Sequence, residues 1–170
     1  AAKDAAHIIA KNLLHCVQDG NNLEARTQML KAGFLAGFTV HHCGIGLHHG
    51  ICHVLGGRYG LDHGIANSII LPCALDFNLD TTIGDQAELG RSMEATKPGV
   101  SDREVALGGI NFIRKLRKEC GLPEHLRDVG IPEGDIPSLA EEAMHSQAVK
   151  NNPKPITKPS QIENVLRAAY

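Results

Sequence analysis

Six of the ten histidines in this sequence fall within a stretch of 23 residues. They are His41, His42, His48, His49, His53 and His63. His49 and His53 are four residues apart, so on a helix both side chains project from the same face about one turn apart. This spacing can offer two imidazoles to one metal ion from a rigid support. His63 follows a turn and precedes a predicted helix, where a third imidazole can approach the first two.

Several kinds of site are compatible with such a cluster. Three neutral imidazoles suit a divalent transition metal such as iron or zinc. Alternatively, the histidines only form hydrogen bonds within a glycine-rich core. A zinc protease is excluded because Gly50 occupies the position where that mechanism needs a glutamate as general base. A mixed zinc site with Cys43 and Cys52 is disfavoured because their spacing of nine residues matches no standard zinc finger.

The elements that must position the cluster are predicted to be helices. Apolar residues recur at helical spacing, no convincing strand alternation is found, and roughly seven to nine helices are expected in an all-α domain. The main predicted helices cover residues 2–18, 22–40, 46–55, 63–72 and beyond, 102–118, 136–149 and 158–169. Pro72 is expected to kink or break the fourth of these helices. Gly56 and Gly57 are expected to end the helix that carries His49 and His53.

Helix caps and glycines add local expectations. Asn21 is in position to cap the second helix, and Asp62 is in position to cap the helix that begins at His63. Ser101 and Glu104 form a capping box at the start of another helix. Gly33 and Gly37 lower helix propensity, so we expect them to admit another backbone at close range. Asp135 and Thr157 are plausible caps for the last two helices.

Length and composition exclude several classes of protein. The chain has 170 residues, of which 42% are hydrophobic and 21% charged, as in a single globular domain. The net charge of −2 argues against a nucleic-acid partner. No apolar run approaches the ~20 residues of a membrane helix, so no membrane partner is expected. The five cysteines form no CxxC pair, which favours a reduced, cytoplasmic protein.

Three segments resemble the signature of the iron-containing (group III) alcohol dehydrogenases, HxxxHxLGG…PHGxANAxxLPxVxxFN. They are His49 to Gly57, Leu61 to Asn67, and Ile70 to Pro72 with Phe77 and Asn78. The likeness extends to Asp19 to Arg26, to Asn152 to Thr157 and to Leu166 to Tyr170, so it covers essentially the whole chain.

The resemblance implies the dehydroquinate synthase-like architecture of that family, with an N-terminal dinucleotide domain and an all-helical C-terminal domain. Residues 1–170 resemble most of the second domain alone, so the dinucleotide domain is expected to be absent and this fragment inactive by itself. By position, His49 and His63 match two of the family's four metal ligands, for Fe²⁺ or Zn²⁺. The other two, an Asp and a His, are expected upstream of Ala1, because Asp4 and His7 lack the D-x3-H spacing.

The implied function is a metal-dependent, NAD(P)-linked alcohol dehydrogenase or carbonyl reductase. His53 matches the additional histidine beside metal and nicotinamide, where it would relay a proton. The implied substrate is a small alcohol, aldehyde or ketone, and a homo-oligomer is expected. Residues 47–57 also resemble the maleylacetate reductase branch, some members of which work without metal. A non-catalytic metal-binding or assembly module is the third possibility.

Overall fold

The structure is a computed structural model that describes all 170 residues. It contains eight α-helices, two short 3-10 helices and no strand. The α-helices are α1 (Ala2–Gln18), α2 (Leu23–Cys43), α3 (Leu47–Tyr59), α4 (His63–Ser92), α5 (Asp102–Glu119), α6 (Ile136–Met144), α7 (Gln147–Lys150) and α8 (Pro159–Ala168). The 3-10 helices are Leu126–Val129 and Glu133–Asp135. The all-α prediction and the expected number of helices are confirmed.

The internal contacts of the chain divide it into two compact units. The first unit comprises residues 1–44 and 82–120, and the second comprises residues 45–81 and 121–170. The boundary falls within α4 at Thr82, where φ is −126° and ψ is 27°, outside the helical region. His48, His49, His53 and His63 all belong to the second unit.

The second unit is built around one cluster of buried apolar side chains. Leu47, Ile51 and Leu55 of α3 belong to it, as do Ile69 and Ile70 of α4. Burial of each such side chain contributes about 1.5–3 kcal/mol, so this core fixes which face of α3 points inward. Residues 49 and 53 lie on the opposite face of the helix from Leu47, Ile51 and Leu55, because successive residues are about 100° apart. The core therefore directs the two histidines outward.

The first unit contains α1, α2, α5 and the last part of α4. Its α1 and α2 pack together, burying Ala5 and Ile8 on α1 and Ala25 and Ala32 on α2. α5 begins with the predicted capping box, in which the Ser101 side chain accepts from the Glu104 N–H and the Glu104 side chain accepts from the Ser101 N–H. No helix of either unit is both long enough and apolar enough to cross a membrane.

One face of α2 is apolar and open to solvent. Leu30, Phe34 and Phe38 are 78%, 73% and 51% exposed, so these large side chains contribute little to the core of their own unit. A Cβ at Gly33 or Gly37 would meet no atom within 4 Å, so no other backbone of this chain approaches these two glycines closely. The buried face of α2 is the one with the small residues Ala25 and Ala32.

Several predicted helix boundaries differ from those observed. α3 continues through Gly56 and Gly57 and ends at Gly60, which has a left-handed φ of 63°. A helix accommodates two internal glycines when its apolar face is well packed, whereas the left-handed position terminates it. Asn22, rather than Asn21, caps α2 by accepting from the Ala25 N–H. α4 continues through Pro72, and its kink lies at Thr82 instead.

The predicted helix over residues 136–149 is two helices, α6 and α7. Asp135 occupies the N-cap position of α6, as predicted, but its side chain makes no cap hydrogen bond, and its carboxylate accepts from the Tyr59 hydroxyl instead. Thr157 is not the cap of α8 either, since Lys158 holds that position and the Gln161 side chain accepts from the Thr157 and Lys158 N–H groups.

Candidate functional site

Three imidazoles of the second unit lie close together at one surface. The ring centroids of His49 and His53 are 6.2 Å apart, those of His49 and His63 are 5.7 Å apart, and those of His53 and His63 are 5.8 Å apart. α3 contributes the first two rings and the first residue of α4 contributes the third. The structure therefore brings together the three histidines that the sequence singled out.

Asp62 and Asn67 hold His63 at the start of α4. The Asp62 carboxylate accepts a hydrogen bond of 3.0 Å from the Ile65 N–H, so it caps α4 as its sequence position predicted. The Asn67 side chain donates to the His63 carbonyl oxygen. A helix cap fixes the direction of the first turn, and His63 is the first residue of that turn.

α3 is held against α6 and α7 along its length. A Cβ at Gly50 would lie only 2.6 Å from Cγ2 of Val149, so glycine allows α3 to approach α7 closely beside His49. At the other end of α3, the Tyr59 hydroxyl donates to Asp135 at 2.6 Å and Arg58 donates to the Ser138 hydroxyl at 2.7 Å. These contacts make α3 a rigid support for its two histidines.

The close approach at Gly50 predicts opposite effects of alanine at two glycines of the same helix. Gly57→Ala should raise the stability by up to about 1 kcal/mol, because alanine favours a helix and nothing lies within 4 Å of that position. Gly50→Ala should lower it by about 1–3 kcal/mol through overpacking against Val149. Urea unfolding of both variants measures the difference, and a Gly50→Ala protein as stable as Gly57→Ala would contradict the tight α3–α7 contact.

Burial favours the neutral form of two imidazoles, that of His48 beside the cluster and that of His49 within it. Burial lowers the pKa of His48 to about 4, although the hydrogen bond of 3.1 Å between its Nε2 and the Asn67 carbonyl opposes that shift. The pKa of His49 is also lowered, first by burial and then by the nearby His63 and His53. Neutral imidazole is the form that ligates metal ions, so His49 is ready to act as a ligand near pH 7. His48 is already engaged by the backbone of α4.

The side chains of this chain do not by themselves form a complete metal site. No group of three or more His, Cys, Asp or Glu side chains is placed so as to hold a metal ion. Two imidazoles on one tetrahedral ion have ring centroids about 5 Å apart, since each metal–nitrogen bond is about 2.0–2.1 Å. The 5.7 Å between His49 and His63 is within a small side-chain rotation of that value. These two neighbouring imidazole donors therefore fit a divalent transition metal as two members of a larger set.

The alternative zinc site with Cys43 and Cys52 is not formed. Cys52 is completely buried in the core cluster of the second unit, and burial raises the pKa of its thiol to about 12. Cys43 is exposed at the end of α2. Cys52 therefore acts as an apolar filler of the core.

These environments predict a large difference in thiol reactivity. At pH 8 the Cys52 thiolate fraction is about one in ten thousand, and no reagent reaches the buried sulfur in the folded state. Cys43 should therefore react with iodoacetamide much faster than Cys52 in the native protein. Peptide mass spectrometry after timed alkylation measures both rates, with urea-unfolded protein as the control in which the two should converge. Equal native rates would show that Cys52 is accessible.

Comparison with known proteins gives this site a context. The model of the Fe-containing alcohol dehydrogenase family, C-terminal, matches residues 1–170. The chain belongs to the Fe-containing alcohol dehydrogenase family. The resemblance inferred from the histidine and glycine motifs is thereby confirmed, together with the all-helical fold of the C-terminal part of these dehydrogenases.

Relatives in this dehydrogenase family match nearly the whole chain. The 1,3-propanediol dehydrogenase of Citrobacter freundii is 35% identical over 170 residues, which is 100% of this chain and 44% of that protein. The NAD-dependent methanol dehydrogenase of Bacillus methanolicus is 32% identical over 156 residues, 92% of this chain and 41% of that protein. The chain thus spans less than half the length of these relatives.

Solved structures of this family share the fold. The crystal structure of a 1,3-propanediol oxidoreductase superimposes with a TM-score of 0.95 at 34% identity, over 99% of this chain and 44% of that one. A maleylacetate reductase from Agrobacterium tumefaciens reaches a TM-score of 0.80 at 24% identity, over 99% of this chain and 44% of that one. At that identity the second likeness shows a common fold and nothing more.

Two asparagines that link α3 and α4 were not predicted from the sequence to contribute to the site. Asn152 was interpreted only as part of a C-terminal motif, and Asn78 only as the end of the family signature. Both side chains hydrogen bond to residues far away in the sequence, the first of them to Leu47, 105 positions away. A contact between residues so far apart in the sequence cannot be predicted from a local sequence pattern.

Proposed function

We propose that this chain is the metal-binding part of an NAD(P)-linked alcohol dehydrogenase that also reduces aldehydes or ketones. The observation that carries the proposal is the approach of His49 and His63, from two successive helices, to 5.7 Å between ring centroids. Membership of the Fe-containing alcohol dehydrogenase family supports it. The names of relatives that act on propanediol and methanol support a small alcohol as substrate.

His49 and His63 would hold the metal, Fe²⁺ or Zn²⁺, together with an Asp and a His that the family resemblance places outside these 170 residues. When bound, the metal supplies Lewis-acid polarisation of the substrate oxygen. The lowered pKa of His49 keeps that side chain in its ligating form. The capping of α4 by Asp62 and the close docking of α3 at Gly50 support the two helix segments that carry these rings.

His53 would move the proton. Its ring is 5.8 Å from that of His63 and 6.2 Å from that of His49, and the residue is exposed. A ring nitrogen in this position can take the proton of an alcohol hydroxyl and pass it to solvent, or return it to a reduced carbonyl oxygen. NAD(P), bound mainly by residues outside this chain, supplies the hydride chemistry.

Metal analysis of the intact gene product, combined with enzyme assays, tests this proposal. We expect about one Fe²⁺ or Zn²⁺ per chain, and NAD(P)H oxidation with small aldehydes that a chelator abolishes and added metal restores. Turnover of maleylacetate that is insensitive to chelator would favour the reductase branch instead. Metal binding with no turnover of either substrate would indicate the non-catalytic module.

We also propose that the functional protein is a cytoplasmic homo-oligomer in which a second copy covers the exposed face of α2. Leu30, Phe34 and Phe38 form this face, and apolar surfaces of this kind mark interaction sites. Phe34→Lys should shift the 170-residue chain toward monomer in sedimentation equilibrium. Ser160→Lys, which adds the same charge at an exposed position of α8, should leave the association unchanged. Equal association of Phe34→Lys and the unmodified chain would argue against this face.

A further inference from the structure

A pair of asparagine side chains joins the two helices that carry the histidine cluster. Asn152, in the segment between α7 and α8, is only 8% exposed. Its Oδ1 accepts a hydrogen bond of 3.2 Å from the backbone N–H of Leu47, the first residue of α3. Its Nδ2 donates to Oδ1 of Asn78 on α4 at 2.7 Å, and Asn78 donates back to Asn152 at 3.2 Å. One amide group thus contacts both helices.

The start of α3 depends on Asn152 for its cap. Gly46 precedes the helix and has no side chain that could accept from the first N–H groups. Leu47 is completely buried, so water cannot take that role. A Cβ at Gly46 would lie 3.1 Å from Oδ1 of Asn152, so glycine at this position gives the amide room to reach the helix. A buried N–H without an acceptor is costly, which makes the contact with Asn152 important for α3.

The orientation of the Asn152 amide is fixed by further hydrogen bonds. Besides Asn78, its Nδ2 donates to the Lys154 carbonyl oxygen at 2.8 Å. Lys154 in turn donates through Nζ to the Phe77 carbonyl oxygen on α4 at 3.0 Å. Both hydrogens of Nδ2 and the Oδ1 acceptor are therefore used, which leaves one orientation of the side chain. The segment after α7 is bound to α4 at the residues next to Asn78.

We propose that Asn152, acting with Asn78, is a positioning residue for the histidine pair. His49 lies two residues after Leu47 on α3, and His63 is the first residue of α4, the helix that carries Asn78. The bridge therefore fixes the start of α3 relative to the helix that presents His63. The contact of His48 with the Asn67 carbonyl ties the same helices closer to the histidines. This inference rests on the proposed function, in which His49 and His63 share one divalent cation.

The test compares Co²⁺ binding and amide exchange in variants of the intact gene product. Asn152→Ala should raise the Kd for Co²⁺ by about tenfold or more, as residues that orient metal ligands do. It should also speed hydrogen exchange of the Leu47 amide while exchange in α8 stays unchanged. Asn152→Asp retains an acceptor for the Leu47 N–H, but it places an oxygen where Nδ2 donates to Asn78 and to the Lys154 carbonyl, so its Kd for Co²⁺ should also rise.

Val165→Ala is the matched control, because it removes buried atoms from α8 of the same unit without touching the bridge. It should lower Tm and leave the Kd for Co²⁺ unchanged. Asn78→Ala is the alternative variant if Asn152→Ala does not fold, because it removes one side of the bridge and keeps the cap on α3. It should also weaken Co²⁺ binding.

Two results would overturn the positioning role: an unaltered Kd in Asn152→Ala or Asn78→Ala, or an equal rise in Val165→Ala. If the unmodified protein itself binds no Co²⁺ through these histidines, the proposed function fails and the positioning role fails with it. The two failures can be distinguished. If the unmodified protein binds Co²⁺ tightly and the variants bind it equally tightly, only the positioning role fails.

Discussion

Replacing His63 by alanine should remove bound metal and catalytic activity together. His63 supplies one of the two imidazoles that this chain would contribute to the metal, and its partner His49 lies 5.7 Å away between ring centroids. Loss of one ligand should leave less than about a tenth of the metal bound. kcat/KM should fall by about a thousandfold or more, because Lewis-acid polarisation contributes several kcal/mol. Elemental analysis and steady-state kinetics of the same preparation measure both effects.

His145→Ala is the matched control for this substitution. His145 is an exposed histidine at the end of α6, in the same unit as the cluster, so the variant removes an imidazole without removing a ligand. It should retain metal and activity. Full metal content in His63→Ala, with a loss of activity no greater than in His145→Ala, would show that His63 is not a ligand.

His53→Ala should instead separate metal binding from turnover. The ring of His53 lies within 6.2 Å of both proposed ligand rings but is assigned to proton transfer. Metal content should remain that of the unmodified protein, while kcat should fall by about 100- to 10,000-fold, the usual contribution of a positioned acid–base group. Added imidazole should restore part of the rate, since it can occupy the space of the missing ring.

Elemental analysis, kcat and its dependence on imidazole concentration check this expectation. Loss of metal in His53→Ala, as in His63→Ala, would make His53 a ligand and would reject the division of roles. An unchanged kcat would remove His53 from the proton path altogether.

Where the sequence predicted the fold correctly, the signal was local. The capping box of Ser101 and Glu104 and the cap by Asp62 each involve residues three positions apart, and both are formed. Local signals were misleading where tertiary packing determines how far a helix extends. Gly56 and Gly57 resemble a helix stop, yet α3 continues to Tyr59, whose hydroxyl bonds Asp135. Pro72 lies inside α4, because the loss of one backbone hydrogen bond does not outweigh burial of the residues around it.

The candidate site could likewise be predicted only as far as local spacing determines it. The spacing of His49 and His53 places them on one face of any helix, and the outward direction of that face follows from Leu47, Ile51 and Leu55. The position of His63 beside His49 and His53 depends on the turn at Gly60 and on the packing of α4 against α3. The spacing of the histidines in the sequence does not specify that packing. The family resemblance supplied that information.

The most direct test of the central claim is anomalous diffraction from a crystal of the intact gene product prepared with Fe²⁺ or Zn²⁺. We expect one anomalous peak per chain, at about 2.0–2.2 Å from a ring nitrogen of His49 and from a ring nitrogen of His63. His53 would lie outside that bonding distance. Well-ordered His49 and His63 rings with no anomalous peak between them would contradict the central claim.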